Sequence, residues 1–179
     1  MYGLKDNKIL FYYDREAIFN DVCLMSAYMG KSLGDVDKYA ITTDEKAAFD
    51  LSLKTCLPNI YDKVIKLTSG LDFAFTDGTD AVSFNDKNAA GNAKSREQGQ
   101  YLDFYINNYD AFNANVLTMV DASMEECIKY GTLMEYYTIC LEPNLLKIAT
   151  ERYASVLASL EQRLFQLKKR VSAKDNLSL

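Results

Sequence analysis

The side chains that could do chemistry in this chain are carboxylates, thiols and tyrosines, because the sequence contains no histidine. Without histidine there is no Ser-His-Asp or Cys-His arrangement and no imidazole metal ligand. Asp72, Asp77 and Asp80 form a carboxylate cluster that could hold a hard cation. A calcium loop needs more regularly spaced oxygen ligands, so these aspartates are better interpreted as turn-forming residues.

The four cysteines, Cys23, Cys56, Cys127 and Cys140, are widely separated and form no Cys-x-x-Cys pair. Each lies in an apolar helical context, which is typical of buried free thiols in a reducing compartment. The glycines follow no strand and match no phosphate-binding fingerprint. We therefore expect no catalytic residue, metal or cofactor.

The net charge of −5 and the sequence pI near 4.8 provide no overall attraction to nucleic acid. The only dense basic cluster consists of Lys168, Lys169, Arg170 and Lys174. Because cations favour the negative end of a helix macrodipole, a basic helix end is the favoured interpretation, with nucleic-acid contact as the alternative. No stretch approaches the roughly 20 apolar residues of a membrane span, so no membrane contact is expected.

The elements that must position these residues are mainly helices. The chain has 179 residues, about half of them apolar, with only two prolines. This length and composition predict one globular domain, or one domain with a projecting element. Apolar residues at three- and four-residue spacing predict five helices, at 14–30, 42–70, 97–119, 124–141 and 143–170.

Local signals set the predicted helix boundaries. Asp14 is a candidate N-cap and Gly30 a candidate C-cap of the first helix. Thr42 and Glu45 form a capping-box pattern at the second helix, and Pro58 predicts a kink or break near residues 55–57. A second capping-box pattern begins at Ser123, while the apolar run at residues 9–13 predicts a strand or an extended arm.

Residues 71–85 change from helical to alternating periodicity. Asp77 and Gly78, flanked by alternating apolar residues, predict a two-residue β-turn that pairs Phe73 with Val82. Because an isolated hairpin is only marginally stable, it must lean on the helices or on another subunit. The predicted hairpin is therefore a candidate contact element.

The apolar residues exceed what a single compact bundle needs, which favours oligomer contacts. The 13 tyrosines, without any tryptophan, are equally compatible with core packing and with an interface. The long last helix also carries an apolar stripe that needs a partner. The candidate interface consists of Phe73, Phe75, Val82, Phe84, Tyr101, Tyr105, Tyr109, Tyr153, Leu160, Leu164 and Leu167.

Four features carry a resemblance to a known family: the segments at residues 26–31 (Ser-Ala-Tyr-Met-Gly-Lys), 42–45 (Thr-Thr-Asp-Glu) and 125–131 (Glu-Glu-Cys-Ile-Lys-Tyr-Gly), and the aromatic hairpin. Together they resemble small head-to-tail connector proteins of tailed bacteriophages, especially those of prophages and crAss-like phages. The resemblance extends to about Leu141. It implies a mainly α-helical protein that forms a ring, often twelvefold, between portal and tail and extends the DNA channel. The helix beyond residue 143 lies outside this pattern and would be an additional portal-binding or ring-packing arm.

The sequence thus predicts a mainly α fold, a bundle of about five helices with one inserted β-hairpin. We expect a connector-like domain at 1–142, with the hairpin at 71–85, and a helical arm and tail at 143–179. The expected function is that of a non-enzymatic adaptor in the virion neck, made in the host cytoplasm. Its expected contacts are with other copies of itself, with the portal, with other neck or tail proteins and with passing DNA. The alternative is a regulatory or chaperone-like helical binding module.

Overall fold

The computed structural model describes residues 2–5, 8–67, 73–76, 84–85, 93–94, 101–106 and 114–175, with side chains at 9, 11–36, 39–64, 102, 104 and 115–166. Most described residues are helical, which confirms the predicted mainly α class. The helices are α1 Arg15–Ser32, α2 Val36–Tyr39, α3 Lys46–Leu67, α4 Ala114–Ile139 and α5 Pro143–Asp175. The strands are β1 Tyr2–Lys5, β2 Lys8–Asp14, β3 Phe73–Thr76, β4 Phe84–Asn85, β5 Ala93–Lys94 and β6 Tyr101–Ile106.

Helix α1 begins where predicted. The Asp14 carboxylate accepts hydrogen bonds from the backbone amides of Glu16 and Ala17, at 2.8 and 3.1 Å. The predicted stop at Gly30 is wrong, because α1 continues to Ser32 and the left-handed backbone occurs at Gly34, with φ of 85°. Gly30 instead lies inside the helix, where an added Cβ would come within 3.0 Å of Tyr39 Cβ and 3.4 Å of Val36 Cα on α2.

Helix α3 follows a capping box formed by Thr42 and Glu45, as predicted. Of the predicted kink or break near residues 55–57, the break is wrong, because α3 runs without interruption from Lys46 to Leu67. Buried residues on both sides of the proline, Leu57 and Ile60 among them, anchor the helix in the core. This packing outweighs the lost hydrogen bond.

The strands form an antiparallel sheet in the order β1-β2-β6-β3. For the described parts of the two predicted hairpin strands, pairing with each other is wrong: Phe73 pairs with Ile106 of β6, and Phe84 pairs with Lys94 in the separate β4–β5 ribbon. The predicted Phe73–Val82 pair and the Asp77-Gly78 turn lie outside the described residues. The helix predicted from residue 97 is also wrong, because Tyr101–Ile106 is a strand. Leu102 and Phe104, which are two residues apart on this strand, are both fully buried. The two-residue period of a strand, rather than helical spacing, therefore determines the structure of this segment.

Helix α4 is continuous through Ser123, where a new helix was predicted. Ser123 is buried, and Arg163 of α5 donates hydrogen bonds to its hydroxyl and to the carbonyl of Met119. The serine therefore joins two helices rather than starting one. Leu141, in a left-handed conformation with φ of 55°, makes the turn into α5, whose first residue is Pro143.

One hydrophobic core connects the sheet and the helices. Strand β2 lies inside the sheet, and its residues Ile9, Phe11 and Tyr13 are buried with Leu102 and Phe104 of β6. The Tyr13 hydroxyl donates to the carbonyl of Asp121 on α4, at 3.2 Å. Because α5 packs along α4 in this same core, α5 is part of the folded body rather than a detached arm.

Candidate assembly interface

Three predicted interface residues lie in the core of the folded chain or pack against it. Leu160 and Leu164 are 0 and 1% exposed, and Tyr153 packs against the same core. The Tyr153 ring lies beside Gly131, where an added Cβ would be 3.1 Å from ring atom Cε2. Burial raises the pKa of Tyr153. These side chains are therefore not available as an exposed docking surface.

The aromatic residues of the predicted hairpin are distributed over two strand groups. Phe73 and Phe75 lie on β3, which pairs with residues 103–106 of β6, and Phe84 lies on β4. Tyr105 belongs to this paired part of β6, whereas Tyr101 lies at the start of β6, where it pairs with Asp14 of β2. The tertiary fold thus brings together positions that are about 30 residues apart in the sequence. Leu167 lies on α5. The candidates Val82 and Tyr109, the turn residues Asp77 and Gly78, and the carboxylates Asp72 and Asp80 lie outside the described residues.

Each segment that carries the connector resemblance contacts a neighbouring part of the fold. Ser26 of the first segment is buried, and its hydroxyl accepts a hydrogen bond from the amide of Ile41, just before the second segment, at 2.7 Å. Gly30 lets α2 approach α1, since an added Cβ would lie 3.0 Å from Tyr39 Cβ. Ser26 and Gly30 therefore lie where Ile41 and α2 contact α1.

The third segment joins α4 to α1 through an ion pair. Lys129 Nζ lies 2.5 Å from Asp21 on α1 and 2.6 Å from Glu125 on α4. Burial favours the neutral amine, but the hydrogen bonds to the two carboxylates outweigh it and raise the pKa of Lys129. This arrangement stabilises a charged lysine; it does not create a reactive amine.

Glu45 connects the capping box to α4. Its carboxylate accepts hydrogen bonds from the Thr42 amide at 2.8 Å and from the Tyr136 hydroxyl at 2.5 Å. Burial raises the pKa of Glu45, but these hydrogen bonds outweigh burial, and the net effect is a lowered pKa. Burial and the adjacent Glu45 both raise the pKa of Tyr136. Neither group is poised near neutral pH, as a general acid or base would be.

The buried thiols are poor nucleophiles. Burial raises the pKa of Cys56, and it raises the pKa of Cys127 to about 12. Because the thiolate is the reactive species, both groups are largely unreactive near neutral pH. Among residues with described side chains, no group of three or more cysteine, aspartate or glutamate side chains could hold a metal ion.

The outer face of α1 carries large exposed apolar side chains that the sequence analysis did not single out. Leu24 and Tyr28 are 56 and 66% exposed. At 100° per residue they lie opposite the buried face, which includes Ile18 and Val22. A helical-wheel projection of residues 14–30 could have shown that apolar residues occupy both faces. We call Leu24 and Tyr28 the α1 patch.

The other large apolar side chains that are exposed lie on α2, α3, α4 and α5 and in the turns that follow α1 and α4. They are Leu33, Val36, Leu51, Met119, Ile139, Leu141 and Phe165. Scattered apolar residues are normal on a protein surface, whereas a pair on adjacent turns of one helix can pack against another helix. The α1 patch is therefore the strongest candidate interface among the described side chains.

In the described part of the chain, no helix has both the length and the apolar character needed to cross a bilayer. Comparison of the chain with protein-family models, curated proteins and solved structures gave no match.

Proposed function

We propose that this protein is a non-enzymatic assembly subunit, a homo-oligomeric ring or adaptor in the neck of a tailed-phage virion, made in the host cytoplasm. The observation that carries the proposal is the α1 patch, in which Leu24 and Tyr28 face solvent on a helix whose opposite face is fully packed. Exposed apolar residues of this kind mark surfaces that another protein covers. The connector resemblance of the sequence supports a phage neck as the kind of assembly.

The local chemistry supports a structural role. The carboxylate, lysine and thiol groups that stand out in the described structure are used in helix capping, ion pairing and core packing. In a ring, each subunit uses one surface on one neighbour and a different surface on the other. We therefore propose that the α1 patch is one of these two surfaces and that portal and tail proteins contact the ring ends. DNA passes through without sequence-specific binding.

The first test compares the oligomeric state of the wild-type protein with that of Leu24→Asp/Tyr28→Asp. We expect a ring in the wild type by native mass spectrometry and light scattering, and monomers in the variant with little change in the urea midpoint. Ala154→Asp/Ala158→Asp is the matched control, because it adds the same charge at the same spacing on exposed positions of α5. The control should still form rings.

The second test is copurification with a co-expressed portal protein. Retention of the wild type, and loss of the α1-patch variant together with its ring, would support the adaptor. A protein that stays monomeric at high concentration and does not bind the portal would overturn the proposal. That result would instead favour a regulatory or chaperone-like binding module.

A further inference from the structure

The turn between α4 and α5 presents two large apolar side chains to solvent. Leu141 is 84% exposed, more than any other large apolar residue with a described side chain, and Ile139 is 47% exposed. The other exposed positions from Thr138 to Asn144 carry no charge, and Glu142 among them is only half-exposed. Charged residues are depleted at the centre of protein interfaces, so this composition is typical of a covered surface. We call Ile139 and Leu141 the turn patch.

The α1 patch has the same character. Ala17 and Asn20, the exposed residues that precede Leu24 and Tyr28 on the outer face of α1, are also uncharged. The exposed face of α3 is different, since it carries Lys46, Asp50, Lys54, Asp62 and Lys63. The α1 patch and the turn patch therefore match each other in polarity.

The α1 patch is too small to hold two copies together by itself. A specific interface covers about 800 Å² on each partner, and two partly exposed side chains offer only a fraction of that area. In a ring, each contact joins two different surfaces, so the α1 patch does not pair with itself. It requires a second apolar surface on the neighbouring copy.

Helices α1 and α4 run in the same direction along the bundle. The hydroxyl of Tyr13, two residues before α1, donates to the carbonyl of Asp121 on α4, and Asp21 on α1 pairs with Lys129 on α4. Helix α1 ends 11 residues beyond Asp21, and α4 ends 10 residues beyond Lys129. Both helices therefore finish at the same end of the bundle.

The two patches lie at nearly the same level along the bundle. Residues 41–45 connect Ser26 of α1 to Tyr136 of α4 through hydrogen bonds at both ends of this segment. At about 1.5 Å per residue, Tyr28 lies roughly 3 Å beyond Ser26, and Ile139 lies roughly 5 Å beyond Tyr136. The α1 patch and the turn patch thus belong to the same end of the fold.

The two patches lie on different sides of α4. Helices α1 and α5 both pack on α4, and the described residues of α1 and α5 make no extensive contact with each other. The turn patch lies where α4 passes into α5, and the α1 patch faces away from the core. Surfaces at one level on different sides meet when copies are related by rotation about an axis along the bundle.

We propose that the α1 patch of one copy packs on the turn patch of the next copy. This head-to-tail contact closes the ring, with α4 running along the ring axis. The inference rests on the proposed ring and names the second surface that each subunit uses in it.

The first test compares Ile139→Asp/Leu141→Asp with the wild type by sedimentation velocity. The variant should raise the concentration needed for assembly about tenfold or more, because charge enters the apolar centre of the contact. Met119→Asp/Phe165→Asp is the matched control, since it adds the same charge at exposed apolar positions toward the opposite end of α4 and α5. The control should assemble like the wild type.

Leu141→Gly separates assembly from folding. Leu141 has a left-handed backbone, with φ of 55°, which glycine adopts more readily. The variant should therefore unfold at a higher temperature, yet need about a fivefold higher concentration to assemble. Weaker assembly of a more stable subunit cannot come from misfolding. Assembly equal to that of the wild type would overturn the inference.

Mixing two variants identifies the surfaces that meet. Leu24→Asp/Tyr28→Asp keeps the turn patch and Ile139→Asp/Leu141→Asp keeps the α1 patch, so one contact of the proposed kind remains possible between them. Native mass spectrometry of the mixture, with one variant ¹⁵N-labelled, should show a one-to-one heterodimer. Each variant alone should remain monomeric. Absence of the heterodimer, or dimers of either variant alone, would overturn the inference.

The same measurements distinguish this inference from the proposed function. Rings of the turn-patch variant, together with monomers of the α1-patch variant, would overturn the inference and leave the proposed function intact. Failure of the wild type to assemble would overturn both.

Discussion

At the residue scale, Gly131 shows how closely three helices approach one another. An added Cβ would lie 2.4 Å from Cys56 Sγ on α3 and 3.1 Å from the Tyr153 ring on α5. Although alanine normally favours a helix over glycine, we expect Gly131→Ala to lower the free energy of unfolding by about 1–3 kcal/mol, because the core would be overpacked. Urea denaturation measures this loss.

The control for Gly131→Ala is the same substitution in a Cys56→Ala background. Removal of the sulfur creates room for the methyl group, so the cost of Gly131→Ala should largely disappear. A double-mutant cycle would then report a coupling energy between the two positions. Additive effects would contradict the close packing of Cys56 on Gly131.

The adjacent residues Tyr136 and Tyr137 differ in what their hydroxyls contact. Tyr137 is fully buried, and its hydroxyl has no hydrogen-bond partner among the described residues, whereas the Tyr136 hydroxyl donates to Glu45. We expect Tyr137→Phe to be neutral or to stabilise by up to about 1 kcal/mol, and Tyr136→Phe to destabilise by about 1–3 kcal/mol. Equal losses for both variants in urea titrations would contradict this distinction.

The acid dependence of Tyr136→Phe provides a second measurement. The folded-state pKa of Glu45 lies below its ordinary value of 4.5, so its contribution to stability is complete above that pH and is lost as the pH falls through the folded-state pKa. The variant lacks one of the hydrogen bonds that lower this pKa. Its stability should therefore decrease less steeply below pH 4.5, while the Tyr137→Phe slope stays as in the wild type.

At the element scale, the apolar stripe of α5 divides into buried and exposed positions. Leu164 is 1% exposed and Phe165 is 60% exposed, although they are neighbours. Leu164→Ala should lower the free energy of unfolding by about 2–5 kcal/mol, because it leaves a cavity between α5 and the core. Phe165→Ala should cost less than about 0.5 kcal/mol. Comparable losses would mean that α5 is not packed as described.

Two residues near helix ends adopt a left-handed backbone, and substitutions at these two positions should change stability in opposite directions. Leu141 adopts a left-handed backbone at the α4–α5 turn and is 84% exposed, whereas Gly34 adopts one after α1 with no atom within 4 Å of an added Cβ. Leu141→Gly should stabilise by up to about 1 kcal/mol, and Gly34→Ala should destabilise by a similar amount. Thermal unfolding would show midpoints that shift in opposite directions. Shifts of the same sign would contradict the backbone explanation.

At the scale of the whole molecule, the sheet and the helices share one core. Phe104 of β6 is fully buried, and its ring centroid lies 6.1 Å from that of Tyr13, whose hydroxyl reaches α4. Phe104→Ala should lower stability by about 3–5 kcal/mol and shift the helical and the tyrosine signals together in urea. A helical transition unchanged by this substitution would show that the sheet unfolds independently.

The elements that were predictable from sequence are those with local causes. Asp14 and the Thr42–Glu45 capping box begin helices through hydrogen bonds to residues two or three positions away. Leu160 and Leu164 repeat at helical spacing over a long segment, so the last helix was evident. The helical spacing of the α1 patch was also visible in the sequence. Only the burial of side chains in the structure shows which face of α1 is covered.

By itself, the sequence determined the mainly helical class, the starts of α1 and α3 and the absence of imidazole chemistry. Capping and periodicity depend on residues that are close together in the chain, and composition does not depend on the fold. Only the tertiary structure decided that Tyr101–Ile106 is a strand, that Phe73 pairs with Ile106 and that Pro58 and Ser123 do not interrupt their helices. The physical reason is that strand pairing and core burial join residues far apart in the chain, and their free energy exceeds the local preferences that oppose them.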